Sequence, residues 1–204
     1  MPARGDHEAR RRDVSAAVWS VLAARGFGGL TLRAVATEMG ASTGLLTHYF
    51  PTKRALVRHA LDIAEERTDE RERRVPAEAG LEALRAALLD VLPLTPDATA
   101  MSRVWVSFWD GALGDPALAA RQKLRYELWR ARLRRHVEAA QRAGALPASA
   151  DPGELAATAA AFAHGLVVQA LFAPGDFPPD LQARLLDTFL VALGGLPADG
   201  GATD

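Results

Sequence analysis

The sequence predicts an all-α protein with about nine helices. Ala, Leu, Arg and Glu dominate, and no run of alternating β-branched residues indicates a strand. Apolar residues instead recur at helical spacing, in segments separated by Gly or Pro. With 49% hydrophobic and 24% charged residues, the 204-residue chain has the composition of a folded globular protein.

Charge is unevenly distributed along the chain. The first 59 residues hold nine Lys or Arg against four acids, and the remainder holds fifteen against twenty-one. A basic N-terminal part indicates a polyanionic partner at that end. The chain has no cysteine, which excludes a disulfide framework, a thiolate metal site and a cysteine nucleophile. Because neither a signal segment nor a long uninterrupted apolar run is present, we expect a cytoplasmic protein without a membrane partner.

The first two helices are defined by residues that suit helix ends. Apolar residues recur from Glu8 to Arg25, and Gly26 follows where a left-handed residue would end the helix. Thr31 is placed to cap a short second helix, and Gly40 to terminate it. A short helix therefore follows a long one at the N-terminus.

Two further helices complete the N-terminal part. Ser42 opens a third helix over about Thr43 to Tyr49, and Thr52 caps a much longer fourth helix. The last section of helix four, residues 65–74, is almost wholly charged, and we expect it to be solvated. Beyond Pro76 the pattern predicts helices near 78–92, 97–113, 116–143, 152–172 and 179–193.

The second and third helices form a helix-turn-helix pattern. They are joined by Gly40-Ala41-Ser42, in which the glycine lets the third helix leave at a steep angle. Once the apolar residues of both helices pack inward, the outer positions of helix three are small or polar. Such a surface permits close approach to base edges in a major groove about 12 Å wide. The outer residues of helix three are Thr43, Gly44, Thr47 and His48.

This segment resembles the TetR family of bacterial repressors. The resemblance is carried by GLTLRAVA (29–36), GASTGLL (40–46) and YFPTK (49–53), and it covers residues 10–58. Within the family the head is most like the choline-responsive BetI subgroup. The resemblance implies a dimeric repressor that binds a double-stranded DNA operator and is released by a small-molecule effector.

The resemblance also implies which residues contact DNA. Thr43, Thr47 and His48 would lie near bases, and Tyr49 and Lys53 at phosphates. Many family members have a tyrosine where this chain has Thr47, so we expect a thymine methyl or a base edge to be its partner instead of a phosphate. The full predicted DNA-binding set is Thr31, Arg33, Ser42, Thr43, Gly44, Thr47, His48, Tyr49 and Lys53.

The rest of the chain is expected to dimerise and to regulate. One short reading helix buries too little surface for tight specific binding, so helix-turn-helix proteins normally read two half-sites about 34 Å apart as dimers. We predict a DNA-binding domain over 1–53, a helical regulatory and dimerisation domain over 54–197 and a disordered tail over 198–204. The resemblance places the dimer interface on the last two helices, and we assign it to Leu155, Ala159, Leu166, Leu185 and Phe189.

An aromatic-rich segment lies between the head and the last two helices. Phe108 and Trp129 suit a bundle core equally well, whereas other aromatic residues suit a ligand cavity between helices. For a cationic ligand such as choline, held over aromatic faces, Asp110 or Glu127 would supply the counter-charge. The predicted pocket residues are Trp105, Trp109, Tyr126, Phe162 and Gln169. His164 is either a polar pocket residue or an interface histidine.

Two other classes of protein compete with a ligand-responsive repressor. An enzyme is not expected, because the sequence has no Gly-rich phosphate loop, no metal-spaced cluster and no Ser-His-Asp candidate. We accordingly expect no cofactor and no metal. The remaining alternative is a ligand-independent DNA-binding or scaffold protein, in which the aromatic segment is entirely core.

Overall fold

The computed structural model describes residues 4–70 and 78–194, with side chains from residue 12 onward. All regular elements within these residues are α-helices, which confirms the predicted all-α class. In chain order they are α1 (Arg4–Arg25), α2 (Leu32–Glu38), α3 (Thr43–Tyr49), α4 (Lys53–Glu70), α5 (Leu81–Leu89), α6 (Pro96–Gly114), α7 (Pro116–Arg142), α8 (Pro152–Phe172) and α9 (Pro179–Gly194).

Packing divides the chain into two compact units. The N-terminal unit comprises residues 1–71 together with 103–115, and the C-terminal unit comprises 72–102 together with 116–204. The second part of α6 therefore belongs to the same unit as α1 to α4. The functional boundary expected after residue 53 stays a prediction. The expected tail, 198–204, and the expected end of helix four beyond Glu70 lie outside the described residues.

Two glycines end helices in the N-terminal unit as the sequence predicts. Gly26 has φ +64° and Gly40 has φ +60°, a backbone region that favours glycine. After α2, the Ala41 N–H donates to the Ala36 carbonyl at 2.9 Å, the bond expected of a Schellman ending. This ending turns the chain sharply between α2 and α3.

The core of the N-terminal unit holds α3 in place from one side. α1 packs against α2 and α4, and α2 packs against α3. On α3 only Leu46 is fully buried, while Leu45 is half-buried. The fully buried leucines of the surrounding core are Leu22, Leu30, Leu56 and Leu61.

The C-terminal unit is built around α7 and α8, which pack against each other, while α5 contacts α7, α8 and α9. Asp151 caps α8 by accepting the Glu154 N–H at 2.8 Å. Arg85 on α5 donates two hydrogen bonds to the Asp187 carboxylate on α9, at 2.5 and 2.9 Å. These bonds raise the pKa of Arg85 and lower that of Asp187.

By length and composition, α8 is apolar enough to cross a membrane, with a mean hydropathy of 1.7 over its most apolar window. Core helices of globular proteins meet the same criterion. α8 has neighbouring helices along its length, because it contacts α5, α7 and α9. Its apolar character is therefore explained, on the packed side, by helix packing within the unit.

Candidate functional site

The outer surface of α3 is small and polar. Thr43, Gly44, Thr47 and His48 are all exposed, as the helix-turn-helix pattern predicts. Ser42 caps the helix by accepting the Leu45 N–H at 3.4 Å. The residues predicted to lie near bases are therefore accessible on a helix whose opposite side is anchored by the core.

The hydroxyl group of Thr47 is engaged within its own helix. It lies 2.9 Å from the Thr43 carbonyl oxygen and 3.1 Å from the Gly44 carbonyl oxygen, and it donates its proton there. With the proton engaged, the hydroxyl offers no donor to a partner. The exposed Thr47 side chain therefore offers a methyl group and an acceptor oxygen to a partner.

The residues predicted to flank the reading helix are also exposed. Arg33 and Lys53 are exposed, and Tyr49 is half-buried with its ring 5.8 Å from that of His48. Thr31 has a structural role as well, because its Oγ1 accepts the Ala34 N–H at 3.0 Å and caps α2. All nine predicted DNA-binding residues thus belong to the N-terminal unit, and only Tyr49 among them is partly covered.

A groove of about 570 Å³ lies where α3 ends and α4 begins. Its lining includes His48, Tyr49, Arg54 and Arg58. Neither arginine is among the predicted DNA-binding residues. They nevertheless lie four residues apart, just after Lys53, which puts them on one side of α4. Phe50, which also lines the groove, is 6% exposed and belongs to the core.

Segment 103–115, which is the second part of α6 and the residue after it, contacts both ends of α4 within the N-terminal unit. Near the start of α4, Arg54 pairs with Asp115 at 3.2 Å. Near its end, Thr68 accepts the indole N–H of Trp105 at 3.1 Å. Segment 103–115 is therefore placed to sense or to set the position of α4.

The same segment holds the end of α1. Ser107 Oγ accepts the Phe27 N–H at 3.0 Å, and the rings of Phe27 and Phe108 are 5.0 Å apart. A Cβ added at Gly26 would lie 2.6 Å from the Cβ of Ser107, so the close approach requires a glycine there. Segment 103–115 thus contacts both α4 and the turn that leads into the helix-turn-helix.

The charged end of α4 is exposed at residues 66, 67, 69 and 70, as expected, but two of its residues also have aromatic partners. The Arg67 guanidinium lies over the Trp19 ring at 4.5 Å from its centroid, and Thr68 bonds to Trp105. Local composition marks residues 65–70 as charged, but it does not show that α1 and α6 supply aromatic partners.

The five predicted pocket residues divide between the two units. Trp105 is 8% exposed and Trp109 is half-buried, and both belong to the N-terminal unit. Tyr126, Phe162 and Gln169 belong to the C-terminal unit. There Phe162 stacks on Phe189 at 4.1 Å between centroids, while Gln169 is exposed. The assignment of these five residues to one pocket stays a prediction.

A second aromatic cluster in the C-terminal unit centres on His164. The His164 ring lies 5.1 Å from the Tyr126 ring and 4.9 Å from the Trp129 ring, between α7 and α8. Burial, together with the charges of Arg125 and Arg130, lowers the pKa of His164 to about 4. The imidazole is therefore neutral at pH 7. We refer to His164, Tyr126 and Trp129 as the His164 cluster.

The predicted interface residues on α8 are covered within one chain. Leu155, Ala159 and Leu166 are buried, whereas Leu185 and Phe189 on α9 are half-buried. The exposed positions of the two helices nevertheless include large apolar residues, Phe172 at 81% and Val191 at 76% exposure, together with charged residues such as Glu154 and Arg184. Besides Phe172, the exposed residues along α8 are Glu154, Ala157, Thr158, Ala161, Gly165 and Gln169. The assignment of the dimer interface stays a prediction.

Both parts of the chain match known sequence families. Residues 15–60 match the family described as bacterial regulatory proteins, tetR family. Residues 80–195 match the family described as BetI-type transcriptional repressor, C-terminal.

Curated relatives are transcriptional regulators. The chain is 28% identical to the HTH-type transcriptional regulator BetI of Burkholderia thailandensis over 194 residues, 93% of this chain and 96% of that protein. It is 33% identical to the HTH-type transcriptional regulator PksA of Bacillus subtilis over 110 residues, 53% of this chain and 54% of that protein. The match to PksA thus spans about half the length of that relative.

Solved structures share the fold over nearly the whole chain. A transcriptional regulator from Rhodococcus sp. Rha1 is 27% identical with a TM-score of 0.68, and the match covers 89% of this chain and 94% of that one. A transcriptional regulator from Saccharomonospora viridis, solved in complex with choline, is 23% identical with a TM-score of 0.76, covering 90% of this chain and 96% of that one.

The matched families consist of regulators and not of enzymes, which confirms the expectation that the chain is not an enzyme. Among the residues that the structure describes, no group of His, Cys, Asp or Glu is arranged to hold a metal ion. The chain belongs to the TetR family of transcriptional regulators, and its C-terminal part is of the BetI type.

Proposed function

We propose that the chain is a cytoplasmic repressor that binds a palindromic DNA operator as a homodimer and is released from it by a small-molecule effector. The observation that carries the proposal is the exposed face of α3, where Thr43, Gly44, Thr47 and His48 present no bulky apolar side chain. A helix with such a face can enter the major groove, and the exposed Arg33 and Lys53 supply charge for the phosphates on either side.

Thr47 contributes to base selectivity through its methyl group. Because its hydroxyl donates to the helix backbone, a thymine methyl is the better complement for its exposed surface. Lys53 is the first residue of α4, and its position gives it no means of distinguishing one base from another. We assign it to a phosphate contact, which adds affinity on every sequence.

Dimerisation is proposed to use the exposed face of α8 and α9. Phe172 on α8 and Val191 on α9 are large apolar residues that are more than three-quarters exposed, and α8 also exposes the small residues Ala157, Ala161 and Gly165. Burial of such a face against a second copy removes apolar surface from water, and the small residues permit close helix packing. The proposed dimer interface therefore uses exposed residues of α8, instead of the buried residues of the same helix that were predicted from the sequence.

Release is proposed to pass through α6 to α4. α6 is one continuous helix whose residues divide between the two units, and segment 103–115 contacts α4 at Arg54 and at Thr68. An effector that favours another position of α6 would shift α4 and the reading helix with it. A BetI relative and the choline complex of a protein with this fold support a small-molecule effector.

The alternative without an effector is favoured by one observation. Trp105 is buried and its indole N–H is satisfied by Thr68, so no ligand is needed to explain that residue. If the other aromatic residues are core as well, the chain is a ligand-independent DNA-binding or scaffold protein. Operator release by a small molecule excludes this alternative.

The experiment is a fluorescence-anisotropy titration of the full chain against the intergenic DNA upstream of its own gene and against scrambled DNA. We expect selective binding that weakens with salt. Lys53→Ala should weaken binding on both DNAs and reduce the salt slope by about one, whereas Thr47→Ala should lower selectivity by up to about tenfold. Glu66→Ala, at an exposed residue of α4, is the control. Equal, wholly salt-driven binding to both DNAs contradicts the proposal.

A further inference from the structure

The helix that supplies two residues of the His164 cluster is rich in positively charged residues. α7, which supplies Tyr126 and Trp129, carries eight Lys or Arg against two Glu, although the whole chain has a net charge of -1. Arg125 and Arg130 both act on the pKa of His164 through their charge. Arg125 and Arg130 are only half-buried, so both side chains are partly accessible to solvent.

The two acids predicted to be counter-charges for a cation are not members of the His164 cluster. Asp110 is exposed and belongs to the N-terminal unit. Glu127 is exposed and faces Lys123 at 3.7 Å. A quaternary ammonium ion at the His164 cluster would meet aromatic rings but also two arginine charges, which oppose it.

Gln122 adds a polar group to the same face of α7. It lies four residues before Tyr126 and seven before Trp129, which places the three residues on one side of the helix. Its side chain is 9% exposed, and its Oε1 has no hydrogen-bond partner among the described residues. A buried carbonyl oxygen without a partner is unfavourable, and a ligand hydroxyl or N–H would satisfy it.

We propose that the His164 cluster, with Arg125, Arg130 and Gln122, binds a small planar organic anion that also carries a hydroxyl or N–H group, such as a hydroxylated aromatic carboxylate. The aromatic rings and the neutral imidazole stack on the planar part of the ligand. The arginines neutralise its carboxylate, and Gln122 accepts its donor. The role of this ligand as the effector rests on the proposed function, but its binding does not.

The test is isothermal titration of the full chain at pH 7.5 with four probes. These are 4-hydroxybenzoate, benzoate, the neutral 4-hydroxybenzyl alcohol and choline. We expect 4-hydroxybenzoate to bind at least about tenfold more tightly than 4-hydroxybenzyl alcohol, because the two differ only in the charged group. We expect benzoate to be intermediate and choline to give no measurable heat of binding.

Variants assign the binding to this cluster. Arg125→Met should weaken 4-hydroxybenzoate about tenfold and leave 4-hydroxybenzyl alcohol unchanged, and Arg130→Met provides an independent second charge removal. Gln122→Leu should remove the preference for 4-hydroxybenzoate over benzoate. Arg135→Met, at an exposed position of the same helix, is the matched control and should bind all probes like the wild type. Circular dichroism verifies that each variant is folded.

Three outcomes overturn the inference. They are equal affinity for the neutral and anionic probes, tight binding of choline that Arg125→Met improves, and an absence of binding by every probe. An operator titration on the same preparation separates this result from the proposed function. Operator binding without anion binding removes the anion site alone, and anion binding without operator binding removes the proposed repressor alone.

Discussion

The exposed faces of α3 and α8 differ in their chemistry. On α3 the uncovered positions carry Thr43, Gly44, Thr47 and His48, which keep their hydration in the free protein. On α8, from residue 157 to the end of the helix, they carry Ala157, Ala161, Gly165 and Phe172, the last at 81% exposure, against two polar residues, Thr158 and Gln169. A hydrated polar face suits a wet, polyanionic partner, whereas an uncovered apolar face suits burial against another protein surface. The chemistry of the residues that a packed helix leaves exposed therefore indicates the kind of partner that the helix binds.

The largest effect is expected from a charge placed on the exposed face of α8. Gly165→Glu adds a side chain where a Cβ meets no atom of the chain within 4 Å, so the protomer should fold normally. A buried unpaired carboxylate at the proposed interface should dissociate the dimer, and loss of the second half-site should weaken operator binding by about 100-fold or more. Light scattering and anisotropy measure the two effects.

Gly111→Glu is the matched control for that experiment. Gly111 is also an exposed helical glycine at which a Cβ meets no atom within 4 Å, but it lies on α6. We expect this variant to remain dimeric. A Gly165→Glu protein that is dimeric and binds the operator like the wild type would contradict the assignment of the α8 face.

The covered side of α8 is tested through His164. Its pKa is about 4 in the folded chain, against about 6.5 when unfolded, so the unfolded state binds more protons between these values. The wild type should therefore lose up to about 3 kcal/mol of stability as pH falls from 6.5 to 4. His164→Phe keeps a ring and removes this loss.

Urea unfolding of wild type and His164→Phe at pH 7.0, 5.5 and 4.5 measures the difference. Other titrating groups are shared by the two proteins, so the change in their stability difference with pH reports on His164. A difference that is constant across this range would show that His164 titrates normally and is not desolvated between α7 and α8.

The smallest effect is expected at the ion pair between Arg54 on α4 and Asp115, the residue that follows α6. Asp115→Asn removes the partner of Arg54, whose side chain is 61% exposed, so stability should change by less than about 1 kcal/mol. With one acid fewer beside the groove, DNA affinity should rise by up to about threefold and the salt slope should steepen. Anisotropy at two salt concentrations measures both the DNA affinity and the salt slope. The exposed Asp151 in the C-terminal unit is unsuitable for a control variant, because its carboxylate caps α8. Asp180→Asn serves instead.

The positions of the helices were predictable because the signals that end helices are local. α8 was expected over 152–172 and lies there, since Asp151 caps it and Pro152 suits its first turn. α5 is shorter than the expected 78–92, because Gly80 has φ +151° directly before Leu81 and cannot continue a helix backward. Local signals thus fix the type of element and miss its ends by a few residues.

The contacts between helices were not predictable from periodicity. Leu155, Ala159 and Leu166 form an apolar stripe, but the stripe does not reveal whether its partner is another helix of the same chain or a second copy. Likewise, nothing near His164 in sequence indicates that Tyr126 and Trp129 flank it. The DNA-facing residues were easier to predict, because a short helix-turn-helix places them by local spacing alone.

Sedimentation of the chain with and without its operator duplex tests the central claim most directly, because it measures the number of protomers on DNA. The proposed account predicts a dimer of free chain and two chains bound per operator duplex, with Gly165→Glu sedimenting as a monomer. A monomeric wild type that binds one duplex selectively as a single chain would contradict the claim that α3 and α8 provide the two interfaces.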